Sequence, residues 1–240
     1  MRVALVTGAN KGIGLAIAER LLRDGFALGF ATHEPDEETA NELRALGEVH
    51  EVSGDLTDAS VPVRLVREVA EQFGRIDALV NNAGLSTAKP ALELTVEDFD
   101  QTFDVDVRAA FLASQEAARR MTDGGVIVNI TSVHEHVPRP GFAVYAPAKA
   151  ALGMLTRSLA LELAPKVRVV AVAPGAIATE RNEEADELST EIPLGRAGTP
   201  EEVAAAVSWL ASNEASYVTG ASFLIDGGMA QQVVERPAGP

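Results

Sequence analysis

Short apolar runs and longer stretches of helical period alternate along the whole chain. The runs that read as strands are 3–6, 27–31, 49–52, 78–80, 126–130, 167–172 and 222–225, and the helical stretches are 13–23, 37–46, 62–73, 96–120, 148–163 and 200–210. Strands that alternate with helices of about 10–20 residues make βαβ units, which build a parallel sheet with helices on both faces. The first strand, VALV, is apolar at every position, as expected of a strand covered on both sides. The expected fold class is therefore α/β: a doubly wound, seven-stranded parallel sheet flanked by helices. No linker, repeat or low-complexity tract divides residues 1–240, which predicts a single domain. Two segments read as loops, the acidic stretch 176–193 and the tail 231–240, and the first is a candidate lid over a site.

Charge and composition narrow the function classes. The chain carries 35 acidic against 20 basic residues, a net charge of −15. Nucleic acid and anionic membrane surfaces demand a basic patch, so neither is expected as the main partner. There is no cysteine, which excludes disulfides, thiolate nucleophiles and cysteine-bound metals. The four histidines form no ligand pattern, so no metal is expected. The apolar run in the opening MRVALVTG is too short for a signal peptide, and no stretch reaches the roughly 18–20 apolar residues of a membrane span. A cytoplasmic protein is expected.

The segment TGANKGIG, residues 7–14, follows the first strand and opens the first helix. Gly8 permits a sharp turn, Gly12 lets the backbone approach a phosphate, and Gly14 allows close packing of helix on strand. The amides of Gly12, Ile13 and Gly14, with Asn10 and Lys11 in the same turn, then face a pyrophosphate, where the helix dipole favours negative charge. This strand–turn–helix setting is the context a dinucleotide-binding turn requires.

Three polar residues further on suit proton and hydride chemistry. Ser132 ends the strand GVIVNITS, thirteen residues before Tyr145, and Lys149 follows Tyr145 by one helical turn. Hydride reduction of a ketone leaves an alkoxide that needs a proton, and oxidation of an alcohol removes one. A free phenol, with a pKa of about 10, is a poor base at neutral pH. An ammonium about 4 Å away, at an effective dielectric of about 20, favours phenolate by roughly 4 kcal/mol before opposing desolvation. Ser132 is then a candidate to hydrogen-bond the substrate oxygen. Pro147, between the pair, is tolerated only in the first turn of a helix, which predicts that the helix starts around 144–146.

The three-residue gap between Gly8 and Gly12, the NNAG at 81–84 and the Tyr145-x-x-x-Lys149 spacing occur in order, and with them the chain resembles the short-chain dehydrogenase/reductase family over essentially its whole length. The resemblance implies a Rossmann-type fold, an NAD(P)(H) cofactor, and a small-molecule secondary alcohol or carbonyl substrate. It implies that Asp55 and the Leu56 backbone hold the adenine, and that Asn82, Ala83 and Gly84 line the ribose side. Ile177 and Thr179, with Pro174 and Gly175 in the same PGAIAT stretch, are implied at the nicotinamide, and Lys149 at its ribose. A homotetramer, or a homodimer, through helices 96–120 and 148–163 and the C-terminal strand is implied as well. The family commonly carries an asparagine in the helix after the fourth strand, where it helps a water relay protons past the lysine. Here FDVDVRAAF places Asp106 there, so Asp106 is expected to anchor that water while altering the pH profile.

An NAD-binding unit usually ends its second strand with an acidic residue for the ribose 2′-hydroxyl. Here that strand ends GFATHE, and Lys11, Thr32 and His33 are candidate contacts for a 2′-phosphate, as in NADP-preferring relatives such as the 3-oxoacyl-carrier-protein reductases. Glu34 and Asp36 oppose that phosphate. NADP(H) is the preferred expectation, with NAD(H) as the alternative. SVHEHVPRPGFAVYAPAK and the C-terminal WLASNEASYVTGASFLIDGGM resemble the glucose 1-dehydrogenase branch, which implies sugar oxidation. LSTAKP after NNAG lacks the glutamate of that branch. Reduction of a 3-oxoacyl thioester or other small carbonyl therefore stays open, as does a dinucleotide-binding sensor without catalysis. His134, Glu135 and Arg139 are candidate substrate contacts.

Overall fold

The computed structural model describes residues 1–122, 124–179 and 190–231. Its strands are β1 (Arg2–Thr7), β2 (Phe26–Thr32), β3 (Val49–Ser53), β4 (Ala78–Asn81), β5 (Gly125–Ile130), β6 (Val167–Pro174) and β7 (Ser222–Ile225). They form one sheet in the order β3-β2-β1-β4-β5-β6-β7, with every neighbouring pair parallel. The chain starts at β1, builds outward to β3, then crosses over and builds outward again from β4. Connections leaving β1 and β4 therefore diverge, and a crevice opens at the carboxyl ends of these strands.

Alternation along each strand feeds two separate cores. Ala4 and Val6 of β1 and Val126, Val128 and Ile130 of β5 face α1 (Gly12–Arg23), α2 (Glu37–Arg44) and α7 (Pro200–Ala211). Val3 and Leu5 of β1 and Ile127 of β5 face α3 (Ser60–Phe73), α5 (Ala110–Arg120) and α6 (Tyr145–Leu163). A strand buried on both faces needs apolar residues at odd and even positions alike, which is why VALV carries no polar residue.

Three element boundaries differ from the sequence expectation or sharpen it. The stretch 96–120 is not one regular helix: α4 (Val96–Phe103) passes into a π-helical turn, Asp104–Ala109, before α5 begins. The widened turn brings Asp106 to the inside, where its carboxylate accepts the Leu85 N–H and pairs with Lys149, and apolar periodicity carries no trace of it. Helix α2 stops at Arg44, two residues early, with Ala45 as its C-cap. Helix α6 begins at Tyr145, and its Ala148 N–H bonds the Val144 carbonyl at 3.1 Å. Pro147 thus sits among the first residues, whose amides have no intrahelical acceptor, as its presence predicted. Among the described residues no helix is long and apolar enough to cross a membrane.

Candidate active site

A cleft of about 930 Å³ runs along the carboxyl ends of the strands, from the glycine turn to the start of α6. Of the residues singled out for cofactor binding and catalysis it gathers all but one: Gly8, Asn10, Lys11, Gly12, Ile13 and Gly14; Thr32 and His33; Asp55 and Leu56; Asn82, Ala83 and Gly84; Ser132, Tyr145 and Lys149; Pro174, Gly175, Ile177 and Thr179. Asp106 is the exception. It lies behind Gly84 and Lys149, fully buried. Of the candidate lid 176–193, residues 180–189 lie outside the described residues, as do residues 232–240 of the tail.

The glycine turn is shaped by contacts that leave no room for side chains. Gly8 and Gly12 adopt φ of +63° and +54°, a region only glycine enters at little cost. A Cβ on Gly14 would stand 2.1 Å from the Gly8 carbonyl oxygen. Helix α1 has no side-chain cap at Lys11 and no acidic residue in its first turn. Its leading amides therefore remain available to an anion, and the dipole favours one there. Thr7, which the sequence reading passed over, holds the turn to the neighbouring strand. Its Oγ1 accepts the N–H groups of Asn82 and Ala83, both at 3.0 Å, while Asn82 Nδ2 donates to the Thr7 and Gly8 carbonyls. Asn82 thus braces the turn through its amide nitrogen.

At the far end of the cleft, Asp55 accepts the Thr57 N–H at 2.9 Å. That bond, with the Thr57 hydroxyl and the nearby His33, holds the Asp55 carboxyl below the usual range. Thr32 donates its hydroxyl to the Glu34 carbonyl at 2.6 Å, which ties it into its own turn. Asp36 caps α2 through the Thr39 N–H and also accepts from Asn10 Nδ2 at 3.3 Å. The Thr39 N–H, and after it Asn10, keeps the Asp36 carboxyl low, so a negative charge stands beside the glycine turn. Lys11 and His33 are the cationic or proton-accepting side chains that line this end.

The three catalytic candidates come from two neighbouring elements. Ser132 follows β5, is buried, and its Oγ accepts the His134 N–H at 3.2 Å, which leaves the hydroxyl proton free to donate. Tyr145 opens α6, and Lys149 lies one turn inward with Nζ 5.6 Å from the centre of the tyrosine ring. Lys149 Nζ also donates to the Ile130 carbonyl at 3.1 Å and meets Asp106 Oδ2 at 3.0 Å. Asp106 Oδ1 accepts the Leu85 N–H at 2.7 Å. Asp106 Oδ2 meets the Lys149 ammonium as an ion pair and accepts no hydrogen bond among the described residues. A Cβ on Gly84 would come within 3.1 Å of Lys149 Nζ and 3.3 Å of both Asp106 oxygens, so this glycine leaves the space the pair occupies.

Beyond Tyr145 the cleft becomes more apolar, lined by Leu85, Ala88, Val105, Phe142 and Met229, with Ser86, Gln101, His134 and Arg139 as its polar groups. His134 stacks on Phe142 at 4.9 Å and stands edge-on to Tyr145 at 6.1 Å. The His134 Nδ1 lies 2.9 Å from the Val137 carbonyl. A carbonyl only accepts, so Nδ1 carries the proton and Nε2 of the neutral ring is an acceptor. Two loops form this wall and are joined by the Lys89 N–H donating to the Gly141 carbonyl at 2.9 Å. Lys89 Nζ also grips Asp98 at 2.6 Å, inside the box by which Thr95 and Asp98 cap α4. Glu135, a sequence candidate for substrate contact, turns away: its carboxylate accepts from Ser222 Oγ at 2.8 Å and pairs with Arg157 at 3.3 Å.

The cleft suits a dinucleotide. It offers uncapped amides and a left-handed glycine turn that fit a pyrophosphate, and Gly84, Lys149, Ile177 and Thr179 line the same cleft. The family model described as enoyl-(acyl carrier protein) reductase, of the short-chain type, matches residues 8–230. An acetoin dehydrogenase of Enterobacter cloacae, known as a crystal structure, superposes with a TM-score of 0.90 at 43% identity, covering 100% of this chain and 98% of that one. Glucose 1-dehydrogenase 2 of Bacillus subtilis is 38% identical over 95% of this chain and 94% of its own. A blue fluorescent protein from a metagenomic library, solved in complex with NADPH, matches with a TM-score of 0.91 at 37% identity over 95% of this chain and 98% of that one. Sequence and fold match these relatives over nearly the whole chain: it belongs to the short-chain dehydrogenase/reductase family, whose members bind NAD(P)(H), and it is an oxidoreductase acting on alcohol or carbonyl substrates.

Proposed function

We propose that this enzyme moves hydride between NADP(H) and a compact secondary alcohol, or its carbonyl partner, that carries a second oxygen on the adjacent carbon. The nicotinamide supplies or accepts the hydride. Tyr145 donates the proton to the substrate oxygen during reduction and removes it during oxidation. Ser132 donates a hydrogen bond to the same oxygen as its charge develops, and Lys149 holds the nicotinamide ribose and supports the phenolate. The observation that carries the reading is the meeting of Ser132, Tyr145 and Lys149 in one cleft with the uncapped start of α1.

Lys11 and His33 favour the 2′-phosphate of NADP(H), and the metagenomic relative solved with NADPH is consistent with that choice. The ionised Asp36 beside Asn10 works against it, so NAD(H) is the second cofactor to test. For the substrate, the wall beyond Tyr145 is largely apolar, and His134 offers one fixed acceptor at Nε2. A 2-hydroxy ketone or vicinal diol matches that arrangement, with one oxygen at Tyr145 and a neighbouring hydroxyl donating to His134. The acetoin dehydrogenase relative supports the same choice. A sugar is the second reading, favoured by the Bacillus relative, but its many hydroxyls would meet few polar partners here. Self-association through α4 and α6 belongs to this reading: Val96, Phe99, Met154 and Leu161 present exposed apolar side chains on those helices.

Initial rates with NADP+ and NAD+ against butane-2,3-diol and glucose, and with NADPH and NADH against acetoin and a β-keto ester, test all of it. The expected result is the highest kcat/KM with acetoin or the diol and NADP(H). Faster glucose oxidation would transfer the proposal to sugars, and a faster β-keto ester to the acyl-chain reading. Tight dinucleotide binding without turnover on the panel would mark a sensor. Light scattering reports whether the chain self-associates, and a monomer at working concentration would remove that part.

A further inference from the structure

Lys149 and Asp106 form a buried ion pair, with side chains 4% and 0% exposed, directly behind the proposed proton-transfer residue. Asp106 Oδ1 accepts the Leu85 N–H at 2.7 Å, whereas Oδ2 lies 3.0 Å from the Lys149 ammonium as an ion-pair contact and accepts no hydrogen bond among the described residues. Only a carboxylate keeps the Leu85 bond and also sets a negative charge beside the ammonium. An asparagine in the same place would lose the Leu85 bond or turn its own NH2 toward the ammonium. The carboxylate is therefore matched to its surroundings in a way the carboxamide is not.

We infer that Asp106 is a positioning residue that neutralises Lys149 from behind, so that Tyr145 works beside a balanced ion pair rather than an isolated cation. The inference rests on Tyr145 being the proton-transfer group. Lys149 Nζ stands 5.6 Å from the Tyr145 ring centre, and Asp106 Oδ2 lies 3.0 Å from Nζ, so both charges act on the phenol at close range. The ammonium favours the phenolate and the carboxylate disfavours it, and burial leaves neither much screened by salt. The balance confines alcohol oxidation to a more alkaline range than an uncompensated lysine would give. Other charged or titratable groups face the same region. His134, from the turn after β5, stands edge-on to Tyr145; Arg139 lines the cleft from the following loop; and Arg108 and Asp104, on the π-helical turn, pair with each other. All four are unchanged in the variants below.

Composition makes the phenol directly readable. The chain has two tyrosines, and Tyr217 is fully exposed. In Tyr217→Phe, Tyr145 is the sole tyrosine, and its ionisation is followed by absorbance in the protein without cofactor. Into that background Asp106→Asn and, independently, the smaller Asp106→Ser are introduced. In either folded variant the phenol's midpoint falls by about one pH unit, as expected for removal of one charge at this range. The acid limb of the pH–rate profile for alcohol oxidation falls with it. A midpoint that stays within a few tenths of a unit, or rises, overturns the inference. A midpoint that falls while the rate profile stays in place supports the ion-pair effect and overturns the assignment of Tyr145 as the proton-transfer group.

Discussion

Asn82 Nδ2 lies 2.9 Å from the carbonyl oxygen of Thr7 and 3.0 Å from that of Gly8, and so ties the end of β4 to the glycine turn. Asn82→Ala leaves both carbonyls without this donor, and a lost hydrogen bond to partly buried carbonyls costs about 1–3 kcal/mol. The expected outcome is a lower Tm and dinucleotide binding weakened by about tenfold in titration calorimetry. Unchanged binding in a folded variant would show that the turn holds its shape without the brace.

Gly84→Ala tests the crowding behind the cleft. The added methyl meets Lys149 Nζ at 3.1 Å and the Asp106 oxygens at 3.3 Å, and Lys149 is held on two other sides by Ile130 and Asp106. The neighbours have little freedom to give way. We expect kcat to fall by at least about tenfold, since an ångström-scale misplacement of a catalytic group costs on that order or more. Circular dichroism should show the fold unchanged. Wild-type kcat would mean that the pair shifts without consequence.

Cofactor choice is tested at Lys11 and His33, the side chains lining the cleft at its far end. Lys11→Ala with His33→Ala should raise KM for NADP+ by about tenfold or more, because each charge-assisted contact to a phosphate contributes on the order of 1.5–3 kcal/mol. KM for NAD+ should change little. Equal effects on both cofactors would assign these residues to the shared part of the dinucleotide.

Acid sensitivity follows from two surface carboxylates whose pKa values are pushed down to about 2. Lys89, and then the Thr95 N–H, hold Asp98 there, while Arg196, and then the Thr199 N–H, hold Glu202. Folded values below the unfolded value of about 4 mean that the stabilisation is complete above pH 4 and is lost as pH falls toward 2. Tm measured from pH 5 to 2 should therefore drop. The double variant Asp98→Asn, Glu202→Gln should show a lower Tm at pH 7 and a shallower drop across that window. An equally steep drop would place the acid-sensitive groups elsewhere.

The parallel sheet was legible because burial on both faces forces unbroken apolar runs such as VALV, and βαβ chirality then leaves few ways to connect them. The glycine turn and the start of α6 were legible for a related reason: glycines with positive φ and a proline in a first turn have few other uses. Thr7 escaped notice because a threonine at a strand end reads as an ordinary β-former, and its two amide donors come from 75 and 76 residues away. Phe142 and Leu85 escaped because they stand in loops, and Met229 because it opens a single 3-10 turn, where no periodicity marks the side that faces the cleft. The bend at Asp106 was hidden by apolar spacing that runs on through 96–120 as though nothing interrupted it.

The bond from the Lys89 amide to the Gly141 carbonyl makes the two segments flanking the substrate end a single unit, although 52 residues separate them. One segment leads into the box that caps α4, and the other leads into the first turn of α6. Transplanting either one alone from a relative would leave its neighbour mismatched and disturb a helix start. Redesign of substrate preference here therefore calls for exchanging both segments together, as a matched cassette, with Lys89 and Gly141 as its internal seam.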